Sequence, residues 1–295
     1  MVVLSHAAAT DMTFEGLRHG LAALKWQESD SIRFLYPPPQ SAATALRAQA
    51  RELINEGTDL VVAMSTRAAL AVRDLALSLN VPLLLVPSGD PVAAGLVSST
   101  THPGQAITGI SVALQEPRRL EMLRHLVPGL QRVWLPFDHS DAGPVATLPR
   151  IEAAAVKLGL TLVRADIRSP NQLRDALDPL PRDVQAVFIP HDAMLISNTR
   201  AIVTAAAAHR LPVSAPHHEG VALGALFSYG FELYALGRQA ARLADQILSG
   251  TPAVDLPIET ADLEMTINLA VADYFDLRIP EDMLRHARIV GRVGE

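Results

Sequence analysis

Gly220-Val221-Ala222-Leu223-Gly224-Ala225-Leu226-Phe227-Ser228-Tyr229-Gly230 is the stretch on which the fold turns. It is followed by a helix-like segment, Gly237 to Leu248, closed by Ser249-Gly250. Asp255-Leu256-Pro257-Ile258-Glu259 and Thr266-Ile267-Asn268-Leu269 come next. Glycine and proline let the chain change direction, and the segments between them alternate strand and helix.

The same alternation extends backwards. Val2-Val3-Leu4 is a short apolar strand, and Glu15 to Lys25 carries Leu17, Leu21 and Leu24 at helical spacing. Ile32 to Tyr36 alternates with period two and stops at Pro37-Pro38-Pro39. A helix is expected from Ser41 to Glu56, a buried strand at Leu60 to Met64, a helix from Thr66 to Leu79 and a strand at Pro82 to Val86. Gly104 to Ser111 breaks the pattern and is read as a crossing. The alternation restarts with a helix over Pro117 to Leu126 and a strand over Arg132 to Phe137. Helix Val145 to Leu158, strand Thr161 to Ala165, helix Asn171 to Leu177 and strand Ala186 to Ile189 follow. Helix Ser197 to His209 and strand Val213 to Ala215 complete the run. Apolar strands separated by helices imply parallel sheets covered on both faces.

At 295 residues the chain suits two such domains, and 49% apolar residues against 4% aromatic make the core aliphatic. The formal charge is −6, with lysine only at Lys25 and Lys157, so no basic stripe exists for nucleic acid. The absence of cysteine excludes disulfides, thiolate metal sites and a cysteine nucleophile, and with them two-cysteine racemases. No apolar run approaches a membrane span. Met1-Val2-Val3-Leu4 lacks the basic start and apolar block of a signal peptide, so either an export segment is missing from the chain or the protein is cytosolic.

Several motifs occur in a fixed order along nearly the whole chain: Phe14-Glu15-Gly16-Leu17, Asp59-Leu60-Val61-Val62 with Ser65-Thr66-Arg67-Ala68-Ala69, Ser88-Gly89-Asp90-Pro91-Val92-Ala93-Ala94-Gly95, Ile107-Thr108-Gly109, Leu277-Arg278-Ile279-Pro280 and Met283-Leu284-Arg285-His286-Ala287. In that order they resemble the ABC-transporter substrate-binding proteins related to tryptophan- and tyrosine-binding lipoproteins. The resemblance implies a type I periplasmic-binding-protein fold: two doubly wound α/β lobes joined by three crossings, with a ligand between them. The lobes are expected at 1–108 with 231–256 and at 109–230 with 257–295.

Ligands of doubly wound sheets lie off the carboxyl ends of strands, which selects the candidate site residues. Ser5, His6 and Thr10 follow the first strand, with a solvated loop as the competing reading. Ser65 and Thr66 open a helix whose N-terminus suits a carboxylate, or else merely cap it. Asp90 either accepts from a ligand ammonium or, the favoured reading, caps a helix beginning at Pro91, a position from which it can still face the ligand. Asp138 follows Arg132 to Phe137. His191 and Asp192 follow Ala186 to Ile189; Asp192 is the expected partner of a ligand amine, although the family's Asp-Asn is Asp192-Ala193 here. His217 belongs to the loop Pro216-His217-His218-Glu219. That loop is read as solvated rather than metal-binding, because no chelating spacing is present. No phosphate loop, nucleophile elbow or dinucleotide fingerprint occurs.

The expectation is a solute-binding protein of an ABC importer, taking an amino acid or similar zwitterion and delivering it to the transporter permease. No catalysis, cofactor or metal is expected. The chain is expected to be monomeric and periplasmic, or anchored on the outer face of the membrane. A ligand sensor, with a cytoplasmic location, and an enzyme on the same frame remain as alternatives.

Overall fold

A computed structural model describes residues 1–5, 11–28, 30–40, 42–54 and 57–291. Two compact units emerge, Met1–Ala113 with Leu233–Asp262 and Leu114–Glu232 with Leu263–Glu295, so the chain passes three times between them.

The chain begins with β1 (Val2–Leu4), α1 (Asp11–Ala23), α2 (Ala43–Ile54), β2 (Val61–Ala63), α3 (Thr66–Ser78), β3 (Leu83–Ser88) and β4 (Ile107–Ser111) in the first unit. The second unit takes α4 (Gln115–Leu126), β5 (Arg132–Phe137), α5 (Ala142–Leu158), β6 (Thr161–Asp166), α6 (Pro170–Leu177), β7 (Ala186–Phe188), α7 (Ala193–Ser197), α8 (Thr199–Ala208), β8 (Val213–His217), α9 (His218–Ala222) and β9 (Phe227–Phe231). Next, α10 (Leu233–Leu248) and β10 (Ile258–Thr260) return to the first unit. The second closes with β11 (Glu264–Asn268), α11 (Leu269–Tyr274), α12 (Glu281–His286) and β12 (Ala287–Val290).

The first unit's sheet runs β1-β2-β3-β4-β10 with every pairing parallel. Val2, Leu4, Val61, Ala63, Leu83 and Leu85 share one core with α2 and α3 residues such as Leu46 and Val72. α10 packs on β3 and β4 and lies along α1. That helix pair is unusually close: a Cβ on Gly16 would sit 2.0 Å from the Tyr234 carbonyl oxygen, and one on Gly237 2.0 Å from that of Thr13.

The second sheet runs β12-β11-β9-β8-β7-β5-β6, parallel except where β11 meets β9. Its strands alternate between two cores. Val133, Leu135, Ala186 and Phe188 face one, and Trp134, Val187 and Ile189 the other. Both faces are therefore buried, as the continuous apolar strands require.

The α/β reading with parallel-dominated sheets holds, with local corrections. Ile107–Ser111 is strand β4 rather than a break. Gly109 has φ +151°, and a Cβ there would lie 2.3 Å from the Leu85 carbonyl oxygen, so the glycine serves close strand pairing, not a turn. Ile32 to Tyr36 forms no strand; Leu35 makes an isolated bridge to Val2. Residues 91–95 are turns, not a helix. Pro216 and His217 extend β8, and α9 begins at His218, where a loop was expected. The end expected for the second helix, Glu56, lies outside the described residues.

Candidate functional site

Parallel strands followed by helices place their carboxyl ends, and the first residues beyond, on one edge of each sheet. In the first unit that edge gathers hydroxyls. Ser65 caps α3, its Oγ accepting from Ala68 N at 3.0 Å. Thr66, 4% exposed, takes no capping role. Its Oγ1 lies 3.3 Å from Ser88 Oγ and accepts from Gly89 N at 3.2 Å, linking the ends of β2 and β3. Ser111 Oγ donates to the Gly89 carbonyl at 2.9 Å, which adds the end of β4. Asp90 is buried and its Oδ1 accepts from Val92 N and Ala93 N, so it closes the turn after β3. Ser5 is buried at the end of β1, its carbonyl accepting from Gln40 N at 3.1 Å. His6 and Thr10 lie outside the described residues.

In the second unit the same edge gathers carboxylates and imidazoles. Asp192 is 1% exposed and caps α7: Oδ1 accepts from Met194 N at 3.0 Å and Leu195 N at 3.1 Å. Its Oδ2 accepts from Asp138 N at 3.0 Å. Both oxygens thus serve backbone amides, the capping geometry that competed with an amine-binding role. The Asp192 carboxyl is pushed up to about 6, chiefly by burial, with neighbouring Asp141 and Asp138 adding to the rise and the Leu195 and Asp138 amides opposing it. Asp138 Oδ1 accepts from Ser140 N and Oγ at 2.8 and 2.6 Å, and Asp141 caps α5 through Gly143 N. The structure therefore joins Asp138 and Asp192, from β5 and β7, in one cluster.

His191 and His217 meet around Phe231, whose ring centroid lies 5.5 Å from the first imidazole and 6.4 Å from the second. His217 is 3% exposed, with Nδ1 2.9 Å from Glu219 Oε2. His191 N donates to Glu116 Oε1 at 2.7 Å. Among the described residues, no three histidine, aspartate or glutamate side chains converge as metal ligands.

Sequence reading missed the group that holds these strand ends in place. Glu116 and Arg119, on α4, are both fully buried and form an ion pair at 2.5 Å. Arg119 also donates to the Ile189 carbonyl at 2.6 Å, and to the Ser214 carbonyl and Oγ at 3.0 and 3.1 Å. Its guanidinium lies 3.9 Å over the Phe188 ring. Burial pulls Arg119 below its ordinary pKa and Glu116 opposes that pull. Gln115 Nε2 donates to the Pro216 carbonyl. One helix turn therefore anchors the ends of β7 and β8 and the His191 segment. The available signal was Glu116-x-x-Arg119 at helical spacing, which an exposed pair shares.

Two doubly wound units with polar strand ends define the type I periplasmic-binding-protein architecture. More narrowly, the chain belongs to the ABC transporter substrate binding protein family, whose model matches residues 1–290. A tyrosine-binding protein of Clostridioides difficile is 25% identical over 259 residues, 88% of this chain and 74% of its own. A conserved domain protein from Vibrio cholerae superposes with a TM-score of 0.89 at 25% identity, covering 98% of this chain and 97% of that one. An ABC domain from Streptococcus pneumonia, solved in complex with L-Trp, gives 0.87 at 22% identity, over 98% and 99%.

Proposed function

We propose that this chain is the solute-binding component of an ABC importer, that it takes an amino acid or similar zwitterion, and that it passes the solute unchanged to a transporter permease on the extracytoplasmic side of the membrane. The reading rests on one observation above all: the family match spans residues 1–290, on a fold whose strand ends gather buried polar groups in each unit. The relatives support the ligand class, since one is named for tyrosine binding and another was solved with L-Trp. The chemistry agrees. The α3 N-terminus at Ser65 offers backbone N–H groups and positive potential to a carboxylate. Phe231, His191 and His217 offer aromatic surface. Among the described residues no helix is long and apolar enough to cross a membrane.

A thermal-shift screen over amino acids, sugars, nucleosides and metal ions tests the reading. A solute that binds only the folded protein stabilises it by about 2.7 kcal/mol at a hundredfold excess over Kd. An amino acid is expected to give the largest rise in Tm. A response confined to sugars, nucleosides or metals would overturn the assignment.

A further inference from the structure

At the end of β8, His217 and the α4 residue Gln115, which holds the neighbouring Pro216 carbonyl, each carry a buried acceptor that has no hydrogen-bond partner among the described residues. His217 Nδ1 lies 2.9 Å from a Glu219 carboxylate oxygen, which can only accept, so Nδ1 carries the proton of that hydrogen bond. In the neutral ring Nε2 is then a bare acceptor. That atom is buried and has no hydrogen-bond partner among the described residues. Gln115 repeats the arrangement. Its Nε2 donates to the Pro216 carbonyl, which leaves Oε1 as an acceptor, likewise buried and without a partner among the described residues. The approach of Gln115 to Pro216 depends on Gly230, where a Cβ would lie 1.8 Å from the Pro216 oxygen and 2.5 Å from Gln115 Nε2. Buried polar atoms in folded proteins are nearly always paired, and each exception calls for a cause. Two acceptors, one on His217 beside the Phe231 ring and one on the residue that bonds the preceding Pro216 carbonyl, share one cause if a donor arrives from outside the chain.

We infer that His217 is a specificity-determining residue: its Nε2, with Gln115 Oε1 beside the same peptide, accepts hydrogen bonds from an N–H or O–H group of the solute. This rests on the solute-binding function proposed above and narrows its ligand. The solute carries a donor at this point, either its ammonium or a ring N–H or O–H, and not a carboxylate or a bare hydrocarbon. Glu219 fixes the tautomer that makes the reading possible.

Calorimetry with L-tryptophan, L-tyrosine, L-phenylalanine and indole-3-propionate, on the wild type, His217→Leu and His217→Gln, tests this. A ring donor makes L-phenylalanine the weak binder of the wild type; an ammonium donor makes indole-3-propionate the weak one. In either case His217→Leu is expected to weaken the best solute at least about tenfold and to close the gap. His217→Gln, which restores an acceptor near the Nε2 position, is expected to stay within about threefold of the wild type. Wild-type binding with both gaps unchanged in His217→Leu overturns the inference alone. Failure of the wild type to bind any of the amino acids defeats the amino-acid reading, and this inference with it. Should His217→Leu not fold, ¹⁵N NMR of the wild-type histidines decides. The expected free state has Nδ1 protonated and Nε2 bare, with the Nε2 resonance moving when L-tryptophan is added. A protonated Nε2 in the neutral ring, or an Nε2 unmoved at saturation with L-tryptophan, overturns the inference.

Discussion

Replacing Arg119 with methionine keeps much of the side chain's length and removes its charge and donors. The change deletes an ion pair with Glu116, hydrogen bonds to the Ile189 and Ser214 carbonyls and one to Ser214 Oγ, all at full burial. Glu116 then stays buried without its counter-charge. Removing one partner of a buried pair costs on the order of 3–5 kcal/mol, because the remaining charge, held here only by the His191 amide, has neither water nor a counter-charge. The loss belongs to the unit built from Leu114–Glu232 and Leu263–Glu295, where Trp134 is 1% exposed on β5. Trp26 is the chain's other tryptophan and sits in the first unit. Urea titration of a Trp26→Phe background, followed by Trp134 emission, therefore isolates the event. Arg119→Met should lower stability by about 3–5 kcal/mol. Glu116→Gln combined with Arg119→Met should cost less than Arg119→Met alone, since no charge is stranded. A single-variant loss below about 1 kcal/mol, the range of exposed pairs, would refute the claim that this pair anchors the strand ends.

Asp192 should make stability depend on pH in a particular sense. Burial raises its folded-state pKa from 3.8 to about 6, so the folded chain holds this proton more tightly than the unfolded one. The stability it contributes is present below 3.8 and lost as pH rises through about 6, a swing of about 3 kcal/mol. Asp192→Asn keeps the Oδ1 cap but does not titrate. Its stability relative to the wild type should therefore rise between pH 4 and pH 7 in urea titrations, and a pH-independent difference would count against the buried carboxyl. Gly237→Ala would drive a Cβ to 2.0 Å from the Thr13 carbonyl oxygen, where backbone must yield. It should cost the first unit at least about 1–3 kcal/mol, read from Trp26 emission, and an unchanged unfolding midpoint would contradict the close α1–α10 packing.

The alternation of strand and helix was legible because the strands are buried on both faces and read as short apolar runs. Ile107–Ser111 escaped because Thr108-Gly109 looks like a turn; only the backbone of Leu85 pressed against Gly109 shows why a strand needs glycine there. Ile32 to Tyr36 has a strand's alternation, yet three prolines follow directly, without the N–H groups that would extend the Leu35–Val2 bridge. Strand order placed the candidate residues at the strand ends. It did not assign their roles, because an aspartate after a strand looks the same in sequence whether it caps the next helix, as Asp192 does for α7, or meets a ligand. Thr66 and Ser88 illustrate a second limit: their hydroxyls join β2 to β3, and Ser88, although it opens one of the motifs, was not among the candidate site residues. Glu116 and Arg119 show a third, since their spacing suits a solvated helix face, whereas both are fully buried and bonded to the Ile189, His191 and Ser214 backbone.

The measurement that bears most directly on solute capture is calorimetric titration with L-tyrosine and L-tryptophan, followed by mass spectrometry of the solute released on denaturing the complex. The account predicts saturable binding at one molecule per chain and recovery of the same molecule after long incubation. No saturation by either of these or by any other common amino acid, or release of a chemically altered product, would contradict it.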